Sequence, residues 1–316
     1  MRVVRTIPER AEAPIALTIG NFDGIHLGHQ AMLQRLAEAA KSLGFPACVM
    51  TFEPHPREFF APDRAPARLT SLREKLELLE GLGVDCTYVC RFNFELARIP
   101  PEDFIGSILQ RALAVRWLLV GDDFRFGARR AGDFAMLKHL APSHGFEVSA
   151  LPSIMLDQQR VSSTAVREAL TRGDLAGAAK LLGRPYSISG RVVQGDRLGR
   201  ELGFPTANVQ IKHNRAPLGG IFAVEVDGAG PRALQGVASL GVRPTINPEG
   251  RSTLEVHLFD FDDDIYRRHI RVHFLAKFRD EEKYPDLETL RRQITEDALN
   301  ARRFFQRRDG RSNPLN

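Results

Sequence analysis

The fold is decided by the stretch Gly20-Asn21-Phe22-Asp23-Gly24-Ile25-His26-Leu27-Gly28-His29, which follows an apolar run from Ile15 to Ile19 and opens a helical pattern. The first N–H groups of a helix are unpaired and lie at the positive end of its dipole, which favours phosphate. Gly28 has no Cβ, so a phosphate can approach the backbone closely. The sequence therefore predicts a phosphate site between a strand and a helix.

His26 and His29 are three residues apart, which predicts neighbouring positions on one helical face. The stretch holds no side chain suited to be a covalent nucleophile. It favours nucleotidyl transfer, in which a bound phosphate attacks the α-phosphorus of a nucleoside triphosphate and catalysis is placement and charge stabilisation. The alternative is that both histidines only cap or pack the helix.

Length and composition predict a globular protein of two domains. The chain has 316 residues and is 43% hydrophobic, whereas a domain takes about 100–200 residues. No run approaches the roughly 18 apolar residues of a membrane span, and residues 1–12 lack the apolar segment of a signal peptide. Cys48, Cys86 and Cys90 fit a reducing compartment as buried small side chains. We expect a cytoplasmic protein with no membrane association.

The net charge of +5 does not by itself indicate a nucleic-acid partner. Much of the excess lies in Arg267, Arg268, Arg271 and the tail from Arg302 to Arg311, and no zinc finger or RNP signature accompanies it. A modest positive field suits polyphosphate ligands equally well. We therefore expect small-molecule partners and no nucleic acid.

Residues 15–183 alternate short apolar runs with helical patterns, which indicates an α/β domain with a parallel sheet. The predicted strands are 15–20, 47–52, 86–91, 117–121 and 147–151, and the predicted helices are 29–43, 71–82, 101–114 and 132–145. After Gly183, residues 186–279 show short alternating β segments, which predict a barrel or a sandwich. A final helix follows Pro285-Asp286, and residues 307–316 are expected to fray. The predicted domains are 1–183 and 184–316.

Ligands of a parallel sheet bind outside the carboxyl ends of its strands, where the segments Thr51–Pro56 and Gly121–Gly127 lie. Their aromatic and polar groups suit a flat heterocycle. The candidate contacts are Phe52, Pro54, Pro56, Asp123, Phe124 and Phe126. The alternative is that the phenylalanines belong to the core.

A third segment places the hydroxyls of Ser162, Ser163 and Thr164 before a short helix, with Arg167 in its first turn. Such a helix start offers N–H donors, and Arg167 adds a charged fork for the β- and γ-phosphates of a leaving pyrophosphate. The alternative is a plain N-cap with a solvated arginine.

In the second half, a glycine-rich segment from Gly190 to Asn208 follows a strand but matches neither the Walker A nor the GxGxxG pattern. Thr206 and Asn208 supply two neutral oxygens that can face a hydrated Mg²⁺ with triphosphate ligands, or can stabilise a tight turn. Farther on, Leu254, Val256 and Leu258 alternate with Glu255 and His257. Glu255 can therefore accept the proton of an attacking hydroxyl, unless its face of the strand is simply solvated.

Together and in this order, these segments resemble the bacterial bifunctional riboflavin kinase/FAD synthetase family from about residue 14 to residue 305. The resemblance implies a Rossmann-like nucleotidyltransferase domain, followed by a Greek-key β-barrel kinase domain with a C-terminal helix. It implies that riboflavin is phosphorylated to FMN, and that FMN then takes AMP from ATP to give FAD and pyrophosphate. Two rival interpretations remain: a nucleotidyltransferase whose barrel only binds product, and a flavin-sensing or RNA-binding protein without turnover.

The resemblance also assigns residues to roles. In the adenylyltransferase, ATP would contact Gly20, Asn21, Phe22, Asp23, Gly28, Ser162, Ser163, Thr164 and Arg167 beside His26 and His29, and FMN would lie by the aromatic segments. In the kinase, ATP would contact Gly195, Gly199, Arg200, Gly203 and Pro205, with Mg²⁺ at Thr206 and Asn208 and with Glu255 as general base.

Overall fold

The computed structural model describes residues 1–195, 199, 202–211, 215–242 and 252–311. The chain divides into two compact units, Met1–Pro66 with Leu72–Ser163, and Ala67–Ser71 with Thr164–Asn316. The predicted boundary after Gly183, the left-handed C-cap of a helix, stays a prediction. Among the described residues, no helix is long and apolar enough to cross a membrane.

The first unit is built on a six-stranded sheet. The strands of this unit are β1 (Arg2–Val4), β2 (Ile15–Ile19), β3 (Ala47–Glu53), β4 (Cys86–Arg91), β5 (Val115–Gly121), β6 (Arg125–Phe126), β7 (Gly132–Asp133), β8 (Glu147–Leu151), β9 (Met155–Leu156) and β10 (Gln159–Arg160). Of these, β6 pairs with β7 and β9 pairs with β10 in two small sheets, and the other six form the main sheet. Its helices are α1 (Leu27–Leu43), α2 (Pro56–Phe60), α3 (Leu72–Gly81), α4 (Phe94–Ala97), α5 (Pro101–Asp103) and α6 (Phe134–Leu140). The sheet has the order β1-β4-β3-β2-β5-β8, and all of its pairings are parallel, as predicted.

Both faces of this sheet are buried, which explains why its strands are continuous apolar runs. Ile15, Leu17 and Ile19 pack on one face, while Ala16 and Trp117 pack on the other. The sequence did not predict β1, because it has only three residues, one of them the charged Arg2, and their pairing partners lie far away in β4.

Two predicted helices differ in detail from the structure. The segment 101–114 is the short helix α5 followed by a π-helical stretch, Phe104–Ala112. The segment 132–145 is β7, then α6, then a 3₁₀ turn at Pro142–His144. Pro142 has no N–H to continue the hydrogen bonds of α6, so that helix ends before it.

The second unit contains helices α7 (Ser163–Thr171) and α8 (Leu175–Leu182), of which α7 starts at the last residue of the first unit. A closed barrel follows, made of β11 (Ser187–Val193), β12 (Ala207–Gln210), β13 (Gly220–Asp227), β14 (Leu234–Val242), β15 (Ser252–Leu258) and β16 (His269–Arg279). The order around it is β11-β12-β15-β14-β13-β16, with antiparallel neighbours. β13, β14 and β15 are consecutive neighbours and β16 returns beside β13, which is the predicted Greek key.

The C-terminal helix α9 (Leu287–Arg311) packs against the barrel. Asp286 accepts a hydrogen bond from the N–H of Thr289 at 2.7 Å, which fixes the predicted start. The chain was expected to fray from Arg307, but the helix continues to Arg311. It does so because Phe305 is buried and Arg308 pairs with Glu225 at 2.8 Å. Residues 312–316 lie outside the described part of the chain.

Candidate active sites

The turn between β2 and α1 is tightly anchored. Phe22 and Ile25 are fully buried and take left-handed φ values of 48° and 40°, with Gly24 at 83°. The N–H of Gly20 donates to the carbonyl oxygen of Met50 at 3.0 Å. Non-glycine residues in this conformation cost free energy and are common at functional sites. The turn therefore has a fixed shape at the carboxyl end of the central strands.

His26 is the N-cap of α1 and not a helical residue, which corrects the prediction that both histidines share a helical face. Its Nδ1 accepts the N–H of His29 at 3.4 Å, so the alternative of a capping role is correct for this nitrogen. The neutral ring must then carry its proton on Nε2. The two rings stack with centroids 3.7 Å apart. A Cβ on Gly28 would lie 3.1 Å from the His26 ring, so Gly28 also makes room for this histidine.

His29 is partly buried, and its Nδ1 is a buried atom with no hydrogen-bond partner among the described residues. Burial lowers the pKa of His29 well below its usual value, and His26 and Lys75 lower it further. The ring is therefore neutral at physiological pH. The side-chain oxygen of Asn21 is likewise buried without a partner in the described part of the chain. Buried polar atoms of this kind are expected where a ligand supplies the hydrogen bond.

A buried lysine supports the same turn and was not predicted. Lys75 on α3 is 5% exposed, and its Nζ donates to Thr51 Oγ1 at 3.4 Å. Thr51 in turn donates to the carbonyl oxygen of Asn21 at 3.3 Å. The sequence shows that Lys75 lies within the predicted helix 71–82, but it could not show that the ammonium group is buried.

The segment around α7 contributes to the turn in part. Ser163 Oγ donates to the carbonyl oxygen of Asp23 at 2.9 Å, and Ser162 directly precedes α7. Arg167 was predicted to lie in the first turn of this helix. Because α7 begins at Ser163, Arg167 lies in its second turn instead. Its Nε donates to the carbonyl oxygen of Ala67 at 2.6 Å. Thr164 and Arg167 belong to the second unit, so their contact with ATP stays a prediction.

The predicted flavin contacts fall at the carboxyl ends of β3 and β5. Phe52 is near the end of β3, a cis Glu53–Pro54 peptide follows, and Pro56 opens α2. Phe124 is partly buried and stacks on Phe126 at 5.7 Å. Phe126 is a core residue packed against Phe104. The alternative that these phenylalanines belong to the core is therefore correct for Phe126, which can only support Phe124 from behind. Asp123 forms an ion pair with Arg160 at 2.6 Å.

An aromatic cluster beside Phe52 was missed. Edge-to-face contacts join Phe59 to Phe92 at 5.4 Å and to Phe94 at 4.8 Å, and Phe92 reaches Phe52 at 5.9 Å. Phe60 and Phe94 are each 63% exposed. The signal was present, because these residues follow the ends of β3 and β4, where ligands of parallel sheets bind.

In the barrel, Glu255 lies on β15 between Asn208 of β12 and Ser239 of β14 as direct cross-strand partners. The predicted alternation is confirmed, since Leu254, Val256 and Leu258 are buried and Glu255 is partly exposed. Glu255 faces a cavity of about 640 Å³, whose wall also includes Phe204, Thr206, His257, Arg279, Glu281, Tyr284, Leu290, Ile294 and Asp297. Its face of the strand is therefore not simply solvated surface.

The glycine-rich segment folds closely around Thr206 and Asn208. A Cβ on Gly195 would overlap the Asn208 side chain, and one on Gly199 would lie 3.1 Å from Thr206 Oγ1. Gly203 has a left-handed φ of 87°. The predicted residue Arg200 lies outside the described part of the chain.

The turn at Pro205 and Thr206 borders a second cavity. The carbonyl oxygen of Pro205 is 2.9 Å from His257 Nδ1, which ties the turn to β15. This second cavity, of about 480 Å³, is lined by Pro205, Thr206, Tyr266 and the acidic segment Asp262–Asp264. Thr206 lines both cavities.

Comparison with known proteins places the chain in a family. Residues 9–165 match the model described as FAD synthetase, and residues 182–305 match the one described as riboflavin kinase. A bifunctional riboflavin kinase/FMN adenylyltransferase of Escherichia coli (strain K12) is 48% identical over 96% of this chain and 98% of the relative. One of Pseudomonas fluorescens is 49% identical over 90% and 91%.

A solved structure described as a macrolide-efflux protein from Streptococcus pneumoniae is 28% identical, with a TM-score of 0.78 over 93% of this chain and 97% of that one. The structural likeness thus extends over both units. The two family models cover successive halves of the chain, and its relatives match it nearly end to end. The chain therefore belongs to the bifunctional riboflavin kinase/FMN adenylyltransferase family.

Proposed function

We propose that the two reactions of this family occur at the two sites described above. FMN adenylylation takes place at the turn that carries His26 and His29, and riboflavin phosphorylation takes place in the barrel cavity of Glu255. The substrates are riboflavin, FMN and ATP, all small molecules. Free thiols at Cys48, Cys86 and Cys90 support a cytoplasmic location.

At the first site, a phosphate oxygen of FMN attacks the α-phosphorus of ATP and pyrophosphate leaves. The N–H groups at the start of α1 and the Nε2–H of His26 face developing negative charge as donors. His29 is neutral, so it donates through one ring nitrogen without adding a buried charge. The fixed turn holds the reacting phosphate groups in position, and such positioning is the main contribution to catalysis in this chemistry.

The FMN ring system is proposed to lie against Phe52 and Phe124, beside the aromatic cluster of Phe59, Phe60 and Phe92. Aromatic faces at the rim of a phosphate site suit a flat heterocycle, because ring stacking adds to apolar burial. These residues lie at or after the carboxyl ends of β3, β4 and β5; β3 and β5 are the neighbours of β2, which leads into the turn with His26 and His29, and β4 lies beyond β3. The phosphate and the ring of FMN would then be held by neighbouring strand ends.

At the second site, the terminal hydroxyl of riboflavin attacks the γ-phosphorus of ATP and ADP leaves. Glu255 takes the hydroxyl proton, since it is a carboxylate fixed on a rigid strand. Riboflavin is assigned to the 640 Å³ cavity, whose apolar and aromatic wall suits a flavin, and ATP to the 480 Å³ cavity. The observation that carries this assignment is Thr206, which lines both cavities beside Glu255, where the transferred phosphate must pass.

Mg²⁺ is proposed to bind at Thr206 and Asn208, which lie two residues apart at the start of β12. Neutral oxygens with phosphate and water as further ligands fit Mg²⁺, which rarely takes an all-protein cage. When bound, the ion would neutralise charge on the phosphates.

Two variants test these assignments in one chain. Glu255→Gln keeps the shape of the side chain but cannot accept the proton, so riboflavin phosphorylation should be abolished while FMN adenylylation survives. His29→Ala should leave ADP formation from riboflavin intact and strongly slow pyrophosphate release from ATP and FMN. Chromatography of flavin products with separate ADP and pyrophosphate assays measures both. Loss of both activities in either variant would contradict independent sites.

A further inference from the structure

A second carboxylate lies in the cavity of Glu255. Glu281 belongs to the segment between β16 and α9, and Ser239 Oγ donates to its Oε1 at 2.7 Å. Both Glu281 and Ser239 line the 640 Å³ cavity. The sequence pattern did not single out Glu281, because it lies among the charged residues of a connecting segment.

The backbone of β14 leaves room for this carboxylate only because residue 241 is glycine. A Cβ at Gly241 would overlap the carboxylate of Glu281. Any side chain there would displace Glu281 from the strand, although the backbone of Gly241 needs no left-handed conformation. The hydroxyl of Ser239 and the missing side chain of Gly241 together hold the carboxylate against β14.

Strand register places Glu281 close to Glu255. Ser239 is the direct cross-strand partner of Glu255, and Gly241 is the next residue of β14 on the same face. Neighbouring strands are about 4.8 Å apart, and same-face residues along a strand are about 6.6 Å apart. The two carboxylates are thus separated by a distance that a short chain of hydroxyl-bearing carbons can span.

The other acidic groups of the cavity are engaged elsewhere. Asp297 accepts from Arg279 Nε at 3.0 Å and from its Nη2 at 2.5 Å, and Glu282 accepts from the Tyr284 hydroxyl at 3.4 Å. Glu281 is an exposed residue at the rim of the cavity, and among the described residues only the Ser239 hydroxyl donates to it, at Oε1. A carboxylate oxygen with spare capacity in a cavity favours a hydroxyl donor from a ligand.

We infer that Glu281 determines acceptor specificity, by accepting a hydrogen bond from a secondary hydroxyl of the ribityl chain while Glu255 takes the proton of the terminal hydroxyl. The inference rests on the proposed assignment of this cavity to riboflavin. Glu281 would select flavins with a polyhydroxylated side chain over flavins that carry only a terminal alcohol.

The test compares two acceptors in the full-length enzyme: riboflavin, and a flavin whose 5-hydroxypentyl chain keeps the terminal alcohol but lacks the secondary hydroxyls. Glu281→Ala should lower kcat/KM for riboflavin by about tenfold or more, mainly through KM, because a hydrogen bond to a charged group is lost. For the hydroxypentyl flavin, kcat/KM and its inhibition constant against riboflavin should change by less than about twofold, because this acceptor makes no such bond.

Gly241→Ala is a second route to the same result, since it displaces the carboxylate without removing it, and it should reproduce the selective loss. The matched control is Asp280→Asn, which removes the same charge one residue away, where the carboxylate does not line the cavity and pairs with Lys277 at 2.5 Å. This variant should leave kcat/KM unchanged for both acceptors.

If Glu281→Ala lowers kcat/KM equally for both acceptors, Glu281 only holds its segment in place. If kcat/KM for riboflavin is unchanged, Glu281 does not contact the substrate. Either result overturns the inference. Glu255→Gln separates this failure from that of the cavity assignment: continued phosphorylation of both acceptors by Glu255→Gln would refute the assignment itself. FMN adenylylation in each preparation reports that the first unit is intact.

Discussion

The ion pair between Arg279 and Asp297 should contribute strongly to the stability of the barrel. Asp297 of α9 is 4% exposed, and Arg279 of β16 donates two hydrogen bonds to it, while Gln293 adds a longer one at 3.3 Å. The Arg279→Met variant removes the cation and leaves the buried carboxylate with one neutral donor.

The expected cost follows from burial. Breaking a buried ion pair by removing one partner costs about 3–5 kcal/mol. The Arg279 side chain is 20% exposed, so water can partly replace it, and we expect a loss of about 2–4 kcal/mol. With a urea dependence of about 2 kcal/mol per molar, the unfolding midpoint of the second unit should fall by about 1–2 M.

The only tryptophan, Trp117 in β5, allows the two units to be followed separately. Loss of riboflavin kinase activity reports the second unit, and Trp117 fluorescence reports the first. The fluorescence midpoint should stay unchanged in Arg279→Met. Combining it with Asp297→Leu removes both charges and should recover stability to within about 1 kcal/mol of the parent. An unchanged activity midpoint in Arg279→Met, or a double variant as unstable as the single one, would refute this reasoning.

Three further results are expected. Since the pKa of His29 is lowered in the folded state, unfolded chains bind a proton below about pH 6.5 that folded chains do not, so stability is full above that pH and falls by up to about 1.4 kcal/mol per pH unit below it. Urea titrations followed by Trp117 fluorescence should show a steeper fall in the parent than in His29→Gln. Lys75→Met should make the fall smaller, because the Lys75 charge helps to lower the pKa of His29. Gly195→Ala should displace Asn208 and slow riboflavin phosphorylation by about a hundredfold, with FMN adenylylation unchanged in product analysis.

Local patterns predicted the elements that carry their own signal. The runs at β2, β3 and β5 are apolar on both faces, so they indicated a parallel sheet, and the alternation around Glu255 indicated a half-buried strand. The turn between β2 and α1, the predicted phosphate site, was recognisable because its glycines and histidines are contiguous in the chain.

The remaining features depend on residues distant in sequence. Lys75 meets Thr51 across 24 positions, and Glu281 meets Ser239 across 42, so no periodicity could pair them. His26 caps its helix because of a hydrogen bond that spacing alone does not distinguish from a helical position. Burial of Phe126 against Phe104 likewise depends on how the chain folds back.

The wall that α9 contributes to the barrel cavity has a consequence for how the kinase half can be shortened. Leu290, Ile294 and Asp297 line the same cavity as Glu255, the proposed base on β15. A protein truncated after the last strand would retain every described residue that we propose to contact phosphate, but the proposed flavin cavity would lose one of its walls. On this proposal the C-terminal helix is part of the substrate pocket, and the catalytic unit ends only where that helix does.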